Sequence, residues 1–204
     1  MNIQLKEIRL GNDGDKLQVI NCATDESYEM LREKGELDIK SKAPYPGNVL
    51  SNFYPNEFEI DGIKCASMEG FLQSLKTKNV EKQKKVCALY GKEAKLFFRH
   101  KWDNLRWKLT GKLYWNGMKI RRSGGLYQDL LSRAYDQLLG VEEFAKALAI
   151  TGDIPLKHSI GKHNKRKTIL TEEEFISELY RLRDIINHND RIMYAPEMPT
   201  ENNS

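Results

Sequence analysis

Apolar residues along the chain switch between a two-residue and a helical period, and the switches mark its elements. Ile3, Leu5, Ile8 and Leu10, then Leu17, Val19 and Ile20 flank the turn residues Gly11-Asn12-Asp13-Gly14, which predicts a hairpin over residues 1–21. A short helix is expected from Asp25 to about Gly35. Residues 36–48 carry Pro44, Pro46 and Gly47 and read as irregular, either an edge to a site or a linker. Phe58, Ile60 and Cys65 around Asp61-Gly62 predict a second hairpin. Ser67 is a good N-cap for a helix whose apolar residues Met68, Phe71, Leu72 and Leu75 fall at helical spacing. Residues 80–100 read as helical, with Val86, Leu89, Leu96 and Phe97 inward and Gly91 as an interruption. The stretch holding Trp102, Trp107 and Trp115 has no clear period. Further helices are expected over 126–139 and 141–150. The last helix has the firmest signal: Thr171-x-x-Glu174 is a capping box, followed by Phe175, Ile176, Leu179, Leu182, Ile185 and Ile186.

These elements describe an α+β chain, mainly helical, with short hairpins near the N-terminus and before the central helix. Its 204 residues suit one principal domain over 48–190. Residues 1–47 then form a hairpin-and-helix extension, and 191–204 a loose tail. The charged fraction of 30% and the hydrophobic fraction of 40% are those of a globular protein. A net charge of +4 suits a phosphorylated ligand and is too small to demand nucleic acid. Three cysteines without metal-ligand spacing fit a reducing cytoplasm. No membrane-spanning run or signal peptide is visible.

Candidate chemistry gathers on the central helix. Glu69, Gln73 and Lys76 at i, i+4 and i+7 share one face. They form either a polar site or an ordinary solvated stripe, with Glu69 complementing the helix dipole. The preceding Ser51 and Asn52 offer hydroxyl and amide groups for a ribose or base edge, and Phe53 or Tyr54 a ring to pack on it. Arg121-Arg122-Ser123-Gly124-Gly125 reads equally as an anion site or as a solvated turn. The loop 155–167, with Lys157, His158, Lys162, His163, Lys165, Arg166 and Lys167, could hold phosphates or be simply solvated. His158 and His163 lack a metal-ligand pattern, so no metal is expected.

Ser51-Asn52-Phe53, Asp61-Gly62, Ser67-x-Glu69 with Gln73 and Lys76, then Gly91-x-x-Ala94-Lys95 and Thr151-Gly152-Asp153, resemble the signature of the NADAR (YbiA-like) family across residues 48–187. The resemblance implies a YbiA-like domain and cofactor-independent N-glycosidase chemistry. Its substrates would be ADP-ribosylated guanosine or related phosphoribosyl compounds, free or carried on a modified nucleic acid. Hydrolysis of such a bond passes through an oxocarbenium-like state. Glu69 is then the general base and charge stabiliser, with Ser51, Asn52, Phe53, Tyr54, Gln73, Lys76, Asp153, His158 and Lys162 as substrate contacts. The sequence departs from that family where an Asp and a Trp-Gly pair would stand. Here the stretch is Leu156-Lys157-His158-Ser159-Ile160-Gly161-Lys162, and no Trp follows Trp115. Asp153 or His158 could replace the missing acid. Two rival functions are a non-catalytic ADP-ribose or NAD-binding module and a basic nucleic-acid-binding protein.

Overall fold

A computed structural model of the chain describes residues 5–10, 15–20 and 26–193. Among these, short two-stranded sheets are set around a helical core, an α+β arrangement. Strands β1 (Leu5–Leu10) and β2 (Asp15–Ile20) pair antiparallel, with Leu5 opposite Ile20; the expected turn at 11–14 lies outside the described residues. Helix α1 (Glu26–Lys34) leads to β3 (Leu37–Asp38), which pairs in parallel with β8 (Leu156–Lys157) far down the chain. Leu31, Leu37 and Ile39 are buried in the same core as the rest of the chain.

The hairpin β4 (Phe58–Ile60) and β5 (Ile63–Cys65) turns at Asp61-Gly62, both at positive φ. It delivers the chain to α2 (Met68–Ser74), every residue of which is buried. Phe71 lies at the centre, edge-on to Trp115 at 5.1 Å and to Phe58 at 6.2 Å. Fully burying such a side chain stabilises the fold by about 1.5–3 kcal/mol. Gly70 faces the end of α3 (Val80–Cys87): a Cβ there would meet Leu89 O at 2.4 Å and Cys87 O at 2.9 Å. Only glycine lets the two elements approach so closely.

The helix expected over 80–100 divides into α3 and α4 (Gly91–Leu96), because the chain breaks after Cys87 and restarts at Gly91 with φ 55°. The break shifts the phase, so Ala94 and Phe98 enter the core while Leu96 is exposed. The unassigned tryptophan stretch becomes α5 (Trp102–Thr110) and the hairpin β6 (Lys112–Trp115) and β7 (Met118–Arg121). Its turn, Asn116-Gly117, has φ 44° and 82°, the two left-handed residues that a tight hairpin demands. Trp107 and Trp115 are buried and Trp102 is exposed.

Helices α6 (Gly125–Leu138) and α7 (Glu142–Ala149) follow near their expected bounds. Helix α8 (Glu172–Met193) starts on the predicted capping box: Glu174 N donates to Thr171 Oγ1 at 3.2 Å, and Thr171 N to Glu174 Oε2 at 2.9 Å. It includes residues 191–193, which the sequence assigns to the tail; residues 194–204 lie outside the description. Among the described residues, no helix is long and apolar enough to cross a membrane.

Candidate functional site

A cavity of about 460 Å³ opens between α2, the loop 51–53, α5 and the segment 158–172. Local turn chemistry builds its first wall. Ser51 Oγ accepts from Phe53 N at 3.3 Å, and Tyr54 N donates to Ser51 O at 2.9 Å, closing a tight turn. That turn lies against the start of α2 because Glu69 N donates to Asn52 O at 2.8 Å. Asn52 is fixed from its other end, where Oδ1 accepts from the buried Tyr135 hydroxyl at 2.8 Å. The helix is capped by Ser67, whose Oγ accepts from Gly70 N and donates to Leu89 O, both at 3.0 Å.

Glu69, Gln73 and Lys76 are buried, so their face is covered by protein and is not a solvated stripe. The Glu69 side chain is 6% exposed. Its Oε1 accepts from Gln73 Nε2 at 2.8 Å and lies 3.2 Å from Lys95 Nζ. Gln73 Oε1 is a buried acceptor without a protein donor, in a wall of the cavity. Such a group costs stability unless water or a ligand satisfies it. Lys76 Nζ donates to Asn104 Oδ1 at 3.0 Å and lies 5.8 Å from the Trp107 ring centre. Burial pushes the Lys76 ammonium down to about 8; Glu69 opposes the shift, and Lys95, Lys108 and Lys162 add to it. Arg99 and Lys167 line the same space. Of its acidic residues only Glu69 and Glu172 face this set of cations, so the cavity suits an anionic ligand.

Ser51, Asn52, Phe53, Glu69, Gln73, Lys76, His158 and Lys162 all line this one cavity. Tyr54 and Asp153 do not. The turn at Ser51 sends Tyr54 the other way, where its hydroxyl donates to Glu143 on α7 at 2.6 Å. The turn holding Asp153 packs towards α8: Arg183 Nη1 donates to Ile154 O at 2.8 Å and reaches Thr151 Oγ1 at 3.4 Å. At Arg121-Arg122 the sequence leaves an anion site and a solvated turn equally open, and Arg122 fits neither. Arg122 is buried and forms a two-pronged ion pair with Glu174, with Nη1 to Oε1 at 2.9 Å. Lys165 lies 3.6 Å from the same carboxylate.

Sequence reasoning places Lys95 only within the Gly91-x-x-Ala94-Lys95 motif, leaves Trp107 unassigned and passes over Arg99, Asn104 and Lys108. The spacing of Asn104 and Lys108, one turn apart beside Trp107, was the available signal. Among the described residues, no group of three or more His, Cys, Asp or Glu side chains is placed to hold a metal ion.

Comparison with known proteins corrects the family. The family model that matches residues 44–184 is that of bacteriophage protein GP30.3, which overturns the NADAR assignment. The shared motifs misled because they are structural punctuation: Ser51 caps a turn, Asp61-Gly62 makes a hairpin and Ser67 caps a helix. An uncharacterised 17.1 kDa protein from the Gp30-rIII intergenic region of Enterobacteria phage T4 is 38% identical over 151 residues, 73% of this chain and 97% of the T4 protein. No solved structure matches significantly. With a match spanning well over half of its length, the chain belongs to the bacteriophage GP30.3 family.

Proposed function

We propose that the protein is an N-glycosidase that hydrolyses the bond between a base and the anomeric carbon of an ADP-ribosyl or related phosphoribosyl compound. The observation that carries the reading is Glu69, a buried carboxylate in the wall of a cavity otherwise rich in cations. Ribosyl transfer to water develops positive charge at the anomeric carbon, and one carboxylate can both oppose that charge and take a proton from the attacking water. Phe53 supplies a ring surface at the same wall. Lys76, Lys108 and Lys162 supply charge for phosphates, and Gln73 Oε1 supplies an acceptor for a sugar hydroxyl. The buried thiols Cys65 and Cys87 suit work in a reducing cytoplasm.

A second reading keeps the same cavity as a binding module without chemistry. It draws on the Lys95–Glu69 contact at 3.2 Å, which gives the carboxylate a resident counter-ion. Glu69→Gln separates the two. Glutamine keeps the acceptor that Gln73 needs, and the lost contact involves a half-exposed lysine, so stability changes by about 0–1 kcal/mol. Base release from ADP-ribosylated guanosine, NAD and ribosylaminopyrimidine phosphates, followed by mass spectrometry, falls about 10²–10⁴-fold if Glu69 is the base. Ligand affinity stays near wild type in both readings. Undiminished turnover in the variant removes Glu69 from the chemistry.

A further inference from the structure

We propose that His158 donates the proton to the departing base, from an imidazole held in place by residues 37–39; the inference rests on the N-glycosidase reading above. His158 lines the cavity that Glu69 lines. Its Nδ1 lies 2.6 Å from the Ile39 carbonyl oxygen. A carbonyl oxygen only accepts, so Nδ1 keeps its hydrogen and any second proton the ring carries is on Nε2.

The backbone around the ring is fixed on both sides. Ile39 N donates to Lys157 O at 2.8 Å, continuing the parallel ladder of β3 and β8. One residue on, Ser159 donates from both N and Oγ to the Asp38 carboxylate, at 3.0 and 2.6 Å. Phe175 meets the imidazole edge-on at 5.1 Å. Packing alone would need only an aromatic or aliphatic side chain here. The bond to Ile39 defines which nitrogen is left to exchange protons, as a positioned acid requires.

The step balances as follows. The C1′–N bond breaks and its electron pair goes to the base nitrogen, which takes the Nε2 proton of a protonated His158. The water oxygen bonds to C1′ and gives its proton to Glu69. A later proton transfer through solvent returns both residues to their starting states, so the net change is addition of one water.

Leaving-group dependence tests the role. Nicotinamide leaves a ribosyl compound as a neutral base and needs no proton, whereas guanine in an N-ribosyl adduct does. NAD and ADP-ribosylated guanosine share the ADP-ribose part, so His158→Gln is assayed on both. The expected result is a loss of about 10²-fold or more in kcat for guanosine release, with nicotinamide release within about threefold of wild type. Equal losses on both substrates, or no loss on the guanine adduct, overturn the proton-donor role and leave Glu69 untouched. A wild-type protein that releases base from neither overturns this inference together with the N-glycosidase reading. His158→Gly gives an independent arm on the guanine adduct. Added imidazole restores guanosine release if the ring is the donor, and failure of imidazole to do so in a variant that melts like wild type overturns the inference.

Discussion

Replacing Glu174 with glutamine removes the charge from the most heavily bonded carboxylate in the core. Oε1 accepts from Arg122 Nη1 at 2.9 Å and from Gln128 Nε2 at 3.0 Å; Oε2 accepts from Arg122 Nη2 and from Thr171 N and Oγ1, the last two at 2.9 Å. Arg122 is only 3% exposed, and its Nε donates to Thr168 O at 3.1 Å. Glutamine leaves a buried guanidinium without a counter-ion and turns an amide N–H towards other donors. Breaking one side of such a pair costs about 3–5 kcal/mol. At about 2–4 °C per kcal/mol for a chain of this size, the melting point falls by roughly 10 °C. Burial alone would raise the Glu174 carboxyl, but the donors from Arg122, Thr171 and Gln128 hold it down at about 2. Its folded value is therefore below the usual 4.5, so the stability it contributes is present above about 4.5 and lost as pH falls through about 2. Urea unfolding from pH 7 to pH 2 should show this loss in wild type and not in the variant. The double change Arg122→Met with Glu174→Leu removes both charges and should be less harmful than either single charge removal. A variant within about 1 kcal/mol of wild type at pH 7 would refute the reasoning.

Gly70→Ala should lower the urea midpoint, at a cost of about 1–3 kcal/mol, because the new Cβ would sit 2.4 Å from Leu89 O; an unchanged midpoint would mean that α2 and α3 can part cheaply. Lys76→Met should stabilise the protein at pH 7 by up to roughly 3 kcal/mol while weakening phosphate binding, measured by calorimetry and calorimetric titration. The sign follows from a folded ammonium lowered from 10.5 to about 8: its burial cost is full below 8 and relieved as pH rises towards 10.5, so wild type should gain stability over that window and the variant should not. Lys162→Ala should raise KM with kcat nearly unchanged, whereas Lys165→Ala, tied to Glu174 outside the cavity, should leave both alone.

What the sequence made legible was local. The Thr171–Glu174 box, the Asp61-Gly62 turn and the Ser67 cap are specified by residues within four positions of one another, and each forms as read. Asn116-Gly117 carried an equally local signal; three nearby tryptophans obscured it. The site itself was legible on the side that α2 and the loop before it build, and at His158 and Lys162 in the basic loop. Its other wall comes from α5 and from the segment 158–172, at sequence separations where no periodic pattern reports contact. The carbonyl that sets His158 belongs to Ile39, in a stretch whose two prolines left it open as either an edge to a site or a linker. Glu69 is the sharpest case. A Glu–Gln–Lys stripe opposite an apolar stripe is what a half-exposed helix shows, and the stripe itself does not distinguish the two. One residue does carry a hint. Gly70 is costly in a seven-residue helix unless something must approach its backbone, and the carbonyls of Val86, Cys87 and Leu89 do so. A helix met so closely on one side and bonded through Glu69 N to the Asn52 carbonyl has little surface left for solvent. Its polar side chains must then find partners in protein or ligand. Gln73 Oε1, which has no protein donor, is where that demand is still open.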